Sequence, residues 1–238
     1  MGLLSFLFSS AADKPGTATS YAELMAYGKR QLFAGKSKEA AEVFSRAAAA
    51  APQNPLPLAY RSWAGRLDDK SRALTDSEEA VDLGPHCAEA HMSLALAHAT
   101  GYPDFEQAAM AFFVGAKNPP EDAYGSVLSI GVFLVFVDVF ASLREDADGF
   151  NYDFQPTPLR NAADWLLCGH YAAAHEAFRK IYKSGREVEG ALGMAATSWA
   201  MRDRASTRTF AKFLLASGVV KDLGILAAIS YIRDTAQQ

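Results

Sequence analysis

Three histidine and cysteine residues have a spacing that could bind a metal ion. Cys87, His91 and His98 fall on one stripe of a helix, but they offer only three ligands, and no acidic residue is placed to orient them. In the periodic apolar pattern, His91 and His98 take positions that pack in a core. The sequence therefore predicts packing histidines and no metal site here.

Two further stretches begin like known sites and then depart from them. HEAFR starts like the helix of a zinc protease, but Arg179 stands where the second histidine is required, which predicts a surface helix around His175 and Glu176. The acidic turn REDADGFNYDF resembles a calcium loop, but Arg144 and Gln155 occupy its first and last ligand positions. We predict a solvated loop there.

The composition narrows the classes of function. The 238 residues carry a net charge of −4 and no run of basic residues, which argues against a nucleic-acid partner. The chain has no glycine-rich phosphate loop and no serine elbow, so we predict no catalytic residue and no cofactor. An enzyme without a local motif is the catalytic alternative. Cys87 and Cys168 are predicted to be free thiols, which suits the cytoplasm.

The N-terminal stretch MGLLSFLF is short and apolar. It has no Lys or Arg before the apolar run, unlike a secretory signal, and Phe6 stands where the myristoylation pattern has Ser or Thr. We predict a tail whose segment Leu3–Phe8 docks on the body, on a partner or peripherally on a membrane.

Two segments of the chain repeat one pattern: a helix with apolar periodicity, a turn with Gly, and a second helix with Ala, an aromatic residue, a small residue and then Pro. These residues are Gly35, Ala40, Phe44, Ala47 and Pro52 in one copy and Gly101, Ala108, Phe112, Gly115 and Pro120 in the other. The pattern resembles the tetratricopeptide repeat, a helix-turn-helix unit of about 34 residues. The resemblance implies an all-α fold, a right-handed α-solenoid of such units.

The resemblance also suggests how the chain is divided. A degenerate copy lies between the two clear ones, so residues 21–120 form three predicted units after a tail at 1–20. A long hydrophobic junction helix at 121–145 and an acidic loop at 146–157 follow. Residues 158–238 are predicted to form degenerate repeats and a C-terminal capping helix.

Solenoids of this family bind extended peptides or helices on the concave face of their first helices. Helical spacing places nine residues on that face: Met25, Lys29, Leu32, Phe33, Tyr60, Trp63, Arg66, Met92 and Leu96. The face is mostly apolar, which predicts an apolar peptide or helix of a partner protein as the ligand.

Two details of this face qualify the prediction. Relatives that bind chaperones hold a C-terminal carboxylate with a set of Lys and Asn side chains. Lys29 is present here, but Met25, Glu89 and Ser93 stand where polar groups of that set are needed, which disfavours this version. Trp63 has two open interpretations: an anchor for the partner, or a residue that packs against a neighbouring helix or the N-terminal tail.

Residues 125–143, GSVLSIGVFLVFVDVFASL, contain Asp138 as their only charge. Hydropathy alone would allow a membrane span, but the flanking residues lack the cationic bias that orients one. We predict a buried helix at the junction of the two halves, and self-association through any uncovered part of it.

These observations predict a non-catalytic scaffold or adaptor in the cytoplasm that binds one or more proteins in its concave groove. The alternative is a membrane-associated assembly factor, anchored by the N-terminal tail or by the segment 125–143.

Overall fold

The computed structural model describes residues 20–100, 105–145 and 157–236. Within these ranges the chain forms twelve α-helices and no strand, and each helix packs against its neighbours along the chain. The predicted all-α helical solenoid is thereby confirmed. The helices are α1 (Tyr21–Phe33), α2 (Ser37–Ala50), α3 (Pro55–Gly65), α4 (Lys70–Leu83), α5 (Ala88–Thr100), α6 (Phe105–Gly115), α7 (Ala123–Glu145), α8 (Pro158–Leu167), α9 (Tyr171–Lys183), α10 (Glu187–Ala200), α11 (Arg204–Ser217) and α12 (Leu223–Thr235).

Local sequence signals set the ends of several helices. A capping box starts α1, in which the Ser20 hydroxyl accepts the N–H of Glu23 and the Glu23 carboxylate accepts the N–H of Ser20. The Thr157 hydroxyl accepts the N–H of Arg160 and so caps α8, just before a proline. Gly35 and Gly169 have φ angles of 75° and 83°, a left-handed conformation that glycine adopts without strain. Gly35 is thus a turn glycine that the repeat pattern predicts.

Small residues allow α1 and α2 to approach each other closely. Ala40 and Ala47 of α2 are fully buried, and the Phe44 ring between them is buried as well. A Cβ atom at Gly28 of α1 would lie 2.6 Å from Phe44 Cε1, so only glycine leaves room for that ring. The repeated alternation of small and aromatic residues thus corresponds to the contact between the two helices of a unit.

Helix α7 departs from this pairwise packing. It contacts α5, α8, α10 and α12, and side chains along it such as Leu128 and Leu134 are fully buried. Its Asp138 carboxylate accepts a hydrogen bond of 2.7 Å from the Thr157 hydroxyl and lies 3.7 Å from the guanidinium of Arg186. The predicted long buried helix is therefore confirmed, and the single acidic group of the segment 125–143 is compensated.

Membrane association through a spanning helix gains no support from the described helices. None of them combines the length and apolar content that a bilayer crossing requires. The segment Leu3–Phe8, Gly101 and residues 146–156 lie outside the described residues, and the predictions made for them stay predictions. The predicted domain boundaries and self-association also stay predictions.

Candidate binding cleft

Eight of the nine predicted groove residues are buried, and Phe33 is half-buried. Each of the buried residues exposes 8% of its surface or less. The reason is that the start of α7 and the turn after α8 lie across the face formed by α1 and α3. The eight are Met25, Lys29, Leu32, Tyr60, Trp63, Arg66, Met92 and Leu96.

We call the face formed by α1 and α3, together with the start of α7 and the turn after α8 that cover it, the filled face. The expectation of an open groove at these positions is thereby corrected, because the chain covers them itself. Their predicted role in partner binding stays a prediction, and it would require α7 and α8 to move away first.

Lys29, a cation of the filled face, forms an ion pair with a carboxylate of the same chain, Asp122. Asp122 accepts a hydrogen bond from Lys29 Nζ and another, of 3.3 Å, from the Tyr60 hydroxyl. Its Oδ1 atom also accepts the N–H of Gly125 at 2.8 Å and so caps the first turn of α7. Burial, and next the Asp122 carboxylate, raises the pKa of Tyr60. The same acidic group therefore anchors α7 and neutralises Lys29.

Trp63 and Arg66 hold the turn after α8 against α3. Trp63 Nε1 donates to the carbonyl of Leu167 at 3.0 Å. Arg66 donates to the carbonyl of Trp63 at 2.8 Å and to Cys168 Sγ at 3.3 Å. In this structure Trp63 packs in the core, and its indole N–H fixes a distant turn rather than meeting solvent.

Glu89 lies under the start of α7. Its Oε1 atom accepts the N–H of Glu121 at 2.7 Å. Burial raises the pKa of Glu89, and the nearby Asp122 carboxylate acts in the same direction while the Glu121 N–H opposes it. A Cβ atom at Gly125 would lie 2.0 Å from Glu89 Oε1, so a glycine is required where α7 crosses this carboxyl group.

Beside the filled face, a cleft of about 490 Å³ separates α1 and the start of α7 from α10, α11 and α12. Its volume is in the range of sites that bind small ligands or short peptide segments. We call it the arginine–aromatic cleft after the six side chains that dominate its lining: Arg30, Phe33, Tyr124, Trp199, Arg202 and Arg204.

The aromatic wall of the cleft is built from three rings packed edge to face. The centroid of Tyr124 lies 4.8 Å from that of Phe33 and 5.2 Å from that of Trp199, with interplanar angles of 85° and 89°. Trp199 Nε1 donates to the Thr235 hydroxyl at 3.0 Å, which ties the ring to α12. Helices from both halves of the chain therefore fix the wall, and its apolar faces are preorganised.

The rim of the cleft is cationic. Arg30 comes from the last turn of α1. Arg202 lies in the turn between α10 and α11, Arg204 is the first residue of α11, and both are exposed. No carboxylate, imidazole or thiol is among the described residues that line the cleft. The carboxylate of Asp203, between the two arginines, instead accepts the N–H of Ser206 and caps α11.

The electrostatic effect of these arginines reaches the aromatic wall. Burial raises the pKa of Tyr124, and the Asp122 carboxylate raises it further, whereas the guanidinium groups of Arg30 and Arg202 act in the opposite direction.

The backbone of Arg202 is unusual. Its φ angle is 63°, the left-handed region in which the turns at Gly35, Gly169 and Gly185 have glycine. A side chain in this region costs about 1–2 kcal/mol. Sequence reasoning missed the cleft, although a signal existed: between α10 and α11, the sequence MRDRA has Arg202 where other turns have a glycine. Such strain is often retained where a side chain serves a function.

The stretches first considered for chemistry have other roles in the structure. Burial raises the pKa of Cys87 to about 12, and the carboxylate of Glu89 adds to this, so the group is a thiol rather than a thiolate. His91 Nε2 lies 3.0 Å from the carbonyl oxygen of Pro85. Cys87 and Cys168 form no disulfide. Within 20–100, 105–145 and 157–236, no three His, Cys, Asp or Glu residues are grouped to hold a metal ion.

Comparison with known proteins gives a partial match. No family model matches the chain. It is 37% identical over 101 residues to the Hsp70-Hsp90 organizing protein of Triticum aestivum, a stretch that makes up 42% of this chain and 17% of that protein. The chain is thus similar, over part of its length, to a small part of a protein named for organizing two chaperones.

Proposed function

We propose that this chain is a non-catalytic protein-interaction adaptor of the cytoplasm, and that it binds a segment of a partner protein in the arginine–aromatic cleft. The observation that carries the proposal is the cleft itself. Its aromatic wall is preorganised by Phe33, Tyr124 and Trp199, and its rim has three arginines. Aromatic and arginine side chains are the types that dominate the binding energy of protein interfaces.

Two further observations support an adaptor. The lining side chains can bind and orient a ligand, but among the described residues they include no thiol, imidazole or carboxylate that would act as nucleophile or general base. The similarity to a protein named as an organizing protein of two chaperones agrees with a role in joining proteins. The partner itself follows from neither observation.

Site-specific photo-crosslinking tests the proposal. Ala34 is exposed and lines the cleft, whereas Glu79 is exposed on α4. A photoreactive amino acid at position 34 should form adducts with a defined partner protein in cells, and the same group at position 79 should not. The purified partner should then bind the purified chain and be displaced by its own crosslinked segment. The same set of adducts from both positions would contradict the proposal.

A further inference from the structure

We propose that one side of α11, with the turn that follows it, binds the surface of a membrane that contains anionic lipids. The contact surface consists of two cations of α11, Arg208 and Lys212, a third cation in the turn, Lys221, and two exposed apolar residues, Val219 and Leu223. We call it the α11 patch. It holds the protein peripherally at a bilayer, and it is independent of the ligand of the arginine–aromatic cleft.

Helix α11 and the turn after it are cationic. Residues 204–223 contain four cations, and Asp222 is their single acidic residue. Arg208 and Lys212 are exposed, and neither forms an ion pair with a carboxylate among the residues that the structure describes. Asp222 stands at the N-terminus of α12, where the helix dipole offsets part of its charge. The α11 patch therefore carries a net positive charge.

The two cations of α11 point away from the neighbouring helix α9. Phe210 and Phe213 lie beside Tyr182 of α9, with ring centroids 6.5 and 6.3 Å from the Tyr182 ring. Because successive residues of an α-helix are rotated by about 100°, Arg208 and Lys212 lie on the opposite side of α11. They are four residues apart and both exposed. One surface outside the protein can therefore contact both of them at once.

The turn after α11 presents apolar side chains from a fixed backbone. Val220 is buried, and the N–H of Gly224 donates to the carbonyl of Ala116 at 2.9 Å, so both ends of the turn are held. Val219 is nevertheless 57% exposed and Leu223 is 74% exposed. Single exposed apolar residues are common on proteins, but these two lie within a cationic segment.

The combination of cations and exposed apolar side chains favours a lipid surface. Anionic headgroups attract basic side chains, and apolar side chains beside them enter the boundary between headgroups and acyl chains. An acidic polymer would pair with the cations but would give Val219 and Leu223 no apolar environment. The patch has few residues, so the attachment should be reversible and should weaken with salt.

Sedimentation with lipid vesicles tests the proposal on the full chain. One set of vesicles is made of phosphatidylcholine alone, and the other of phosphatidylcholine mixed with phosphatidylserine. We expect the chain to bind the mixed vesicles about tenfold more tightly than the neutral ones, and to be released as the salt concentration rises.

A first pair of variants tests the cations. Arg208→Gln with Lys212→Gln should weaken binding to the mixed vesicles about tenfold. Lys38→Gln with Lys70→Gln removes the same charge from exposed positions of α2 and α4, and should change binding less than about twofold. Circular dichroism checks that both proteins keep their helices.

A second pair of variants tests the apolar side chains. Val219→Ser with Leu223→Ser leaves the charge unchanged and should weaken binding about fivefold. Leu67→Ser with Met110→Ser alters residues of similar exposure, 61% and 58%, outside the α11 patch and should leave binding unchanged.

Several results would overturn the proposal. These are equal binding to neutral and mixed vesicles, equal loss of binding in the cation pair and its control, or tighter binding to polyglutamate than to the mixed vesicles, which would show attraction by charge without contact to lipid. Phe6→Ser with Phe8→Ser leaves the α11 patch intact. If this variant loses binding while the α11 variants keep it, the N-terminal segment is the membrane contact and the α11 patch is not.

Discussion

Lys29 and Arg30 are neighbours in α1, but they belong to two different surfaces. Lys29 lies in the filled face, is 8% exposed and donates to Asp122 of the same chain. Arg30 lines the arginine–aromatic cleft, where no described lining residue is acidic. The comparison teaches that the first helices of a solenoid can be covered by later helices, while a new recessed surface forms where the two halves meet. Adjacent cations can thus have different surroundings: Lys29 is paired inside the fold, and Arg30 lies at the edge of a cleft.

The largest expected effect contrasts the two tryptophans of these surfaces. Trp63→Ala should lower the free energy of unfolding by about 3–5 kcal/mol, because the change leaves a cavity and removes the donor to the Leu167 carbonyl. Trp199 is half-buried in the cleft wall, so Trp199→Ala should cost only about 1–2 kcal/mol. Urea denaturation of the two variants measures both values. A smaller loss for Trp63→Ala than for Trp199→Ala would show that the filled face is not part of the core.

A second contrast uses the neighbouring cations. Lys29→Met should destabilise the fold by about 2 kcal/mol, since it leaves the Asp122 carboxylate without its ion pair near Glu89. We expect a smaller loss of stability than for a fully buried ion pair because the Asp122 side chain is 32% exposed. Arg30→Met should change stability by less than about 0.5 kcal/mol and weaken binding of the partner segment that crosslinks at position 34.

A double variant checks the cause. Asp122→Asn in the Lys29→Met background should restore part of the lost stability, because the uncompensated charge is gone. If Lys29→Met alone is as stable as the original chain, the contact between Lys29 and Asp122 does not hold α7 in place.

The contrast also explains what the sequence could predict. Gly35, Ala40 and Phe44 lie within one unit and satisfy local rules of turns and helix packing. The repeat could therefore be recognised from the sequence alone. The contact between Lys29 and Asp122 joins residues 93 positions apart, and no periodicity reports such a pairing. The groove residues were therefore placed on the correct helices but assumed to be open. The cleft is made by α1, α7 and α10–α12 together, and it exists only after the chain has folded back on itself.

The pH dependence of stability should reveal the carboxyl group buried under α7. Because the pKa of Glu89 is raised in the folded state, its contribution to stability is present below its unfolded pKa and is lost as the pH rises through the folded pKa. Glu89→Gln keeps an oxygen that accepts the Glu121 N–H. This variant should have a higher melting temperature than the original chain at neutral pH and the same one at a pH below about 4.

Glu79→Gln, an exposed change of the same type on α4, is the control for net charge and should show little difference at either pH. A lower melting temperature of Glu89→Gln at neutral pH would mean that the ionised carboxylate stabilises the start of α7.

The smallest expected effect separates stability from binding at one residue of the cleft. Arg202→Gly should relieve the left-handed strain at φ 63°, but the added freedom of the unfolded chain offsets part of that gain, so the net increase in stability should be under about 1 kcal/mol. Arg202→Ala removes the same guanidinium and keeps the strain, which makes it the matched control. Both variants should bind the partner segment that crosslinks at position 34 equally weakly, and only the glycine variant should melt at a higher temperature. Since a glycine here would serve the fold better, we expect the arginine to be retained for its charge at the rim. If the alanine variant melts above the glycine variant, or if either variant binds the partner segment as well as the original chain does, the charge of Arg202 does not explain the strained turn.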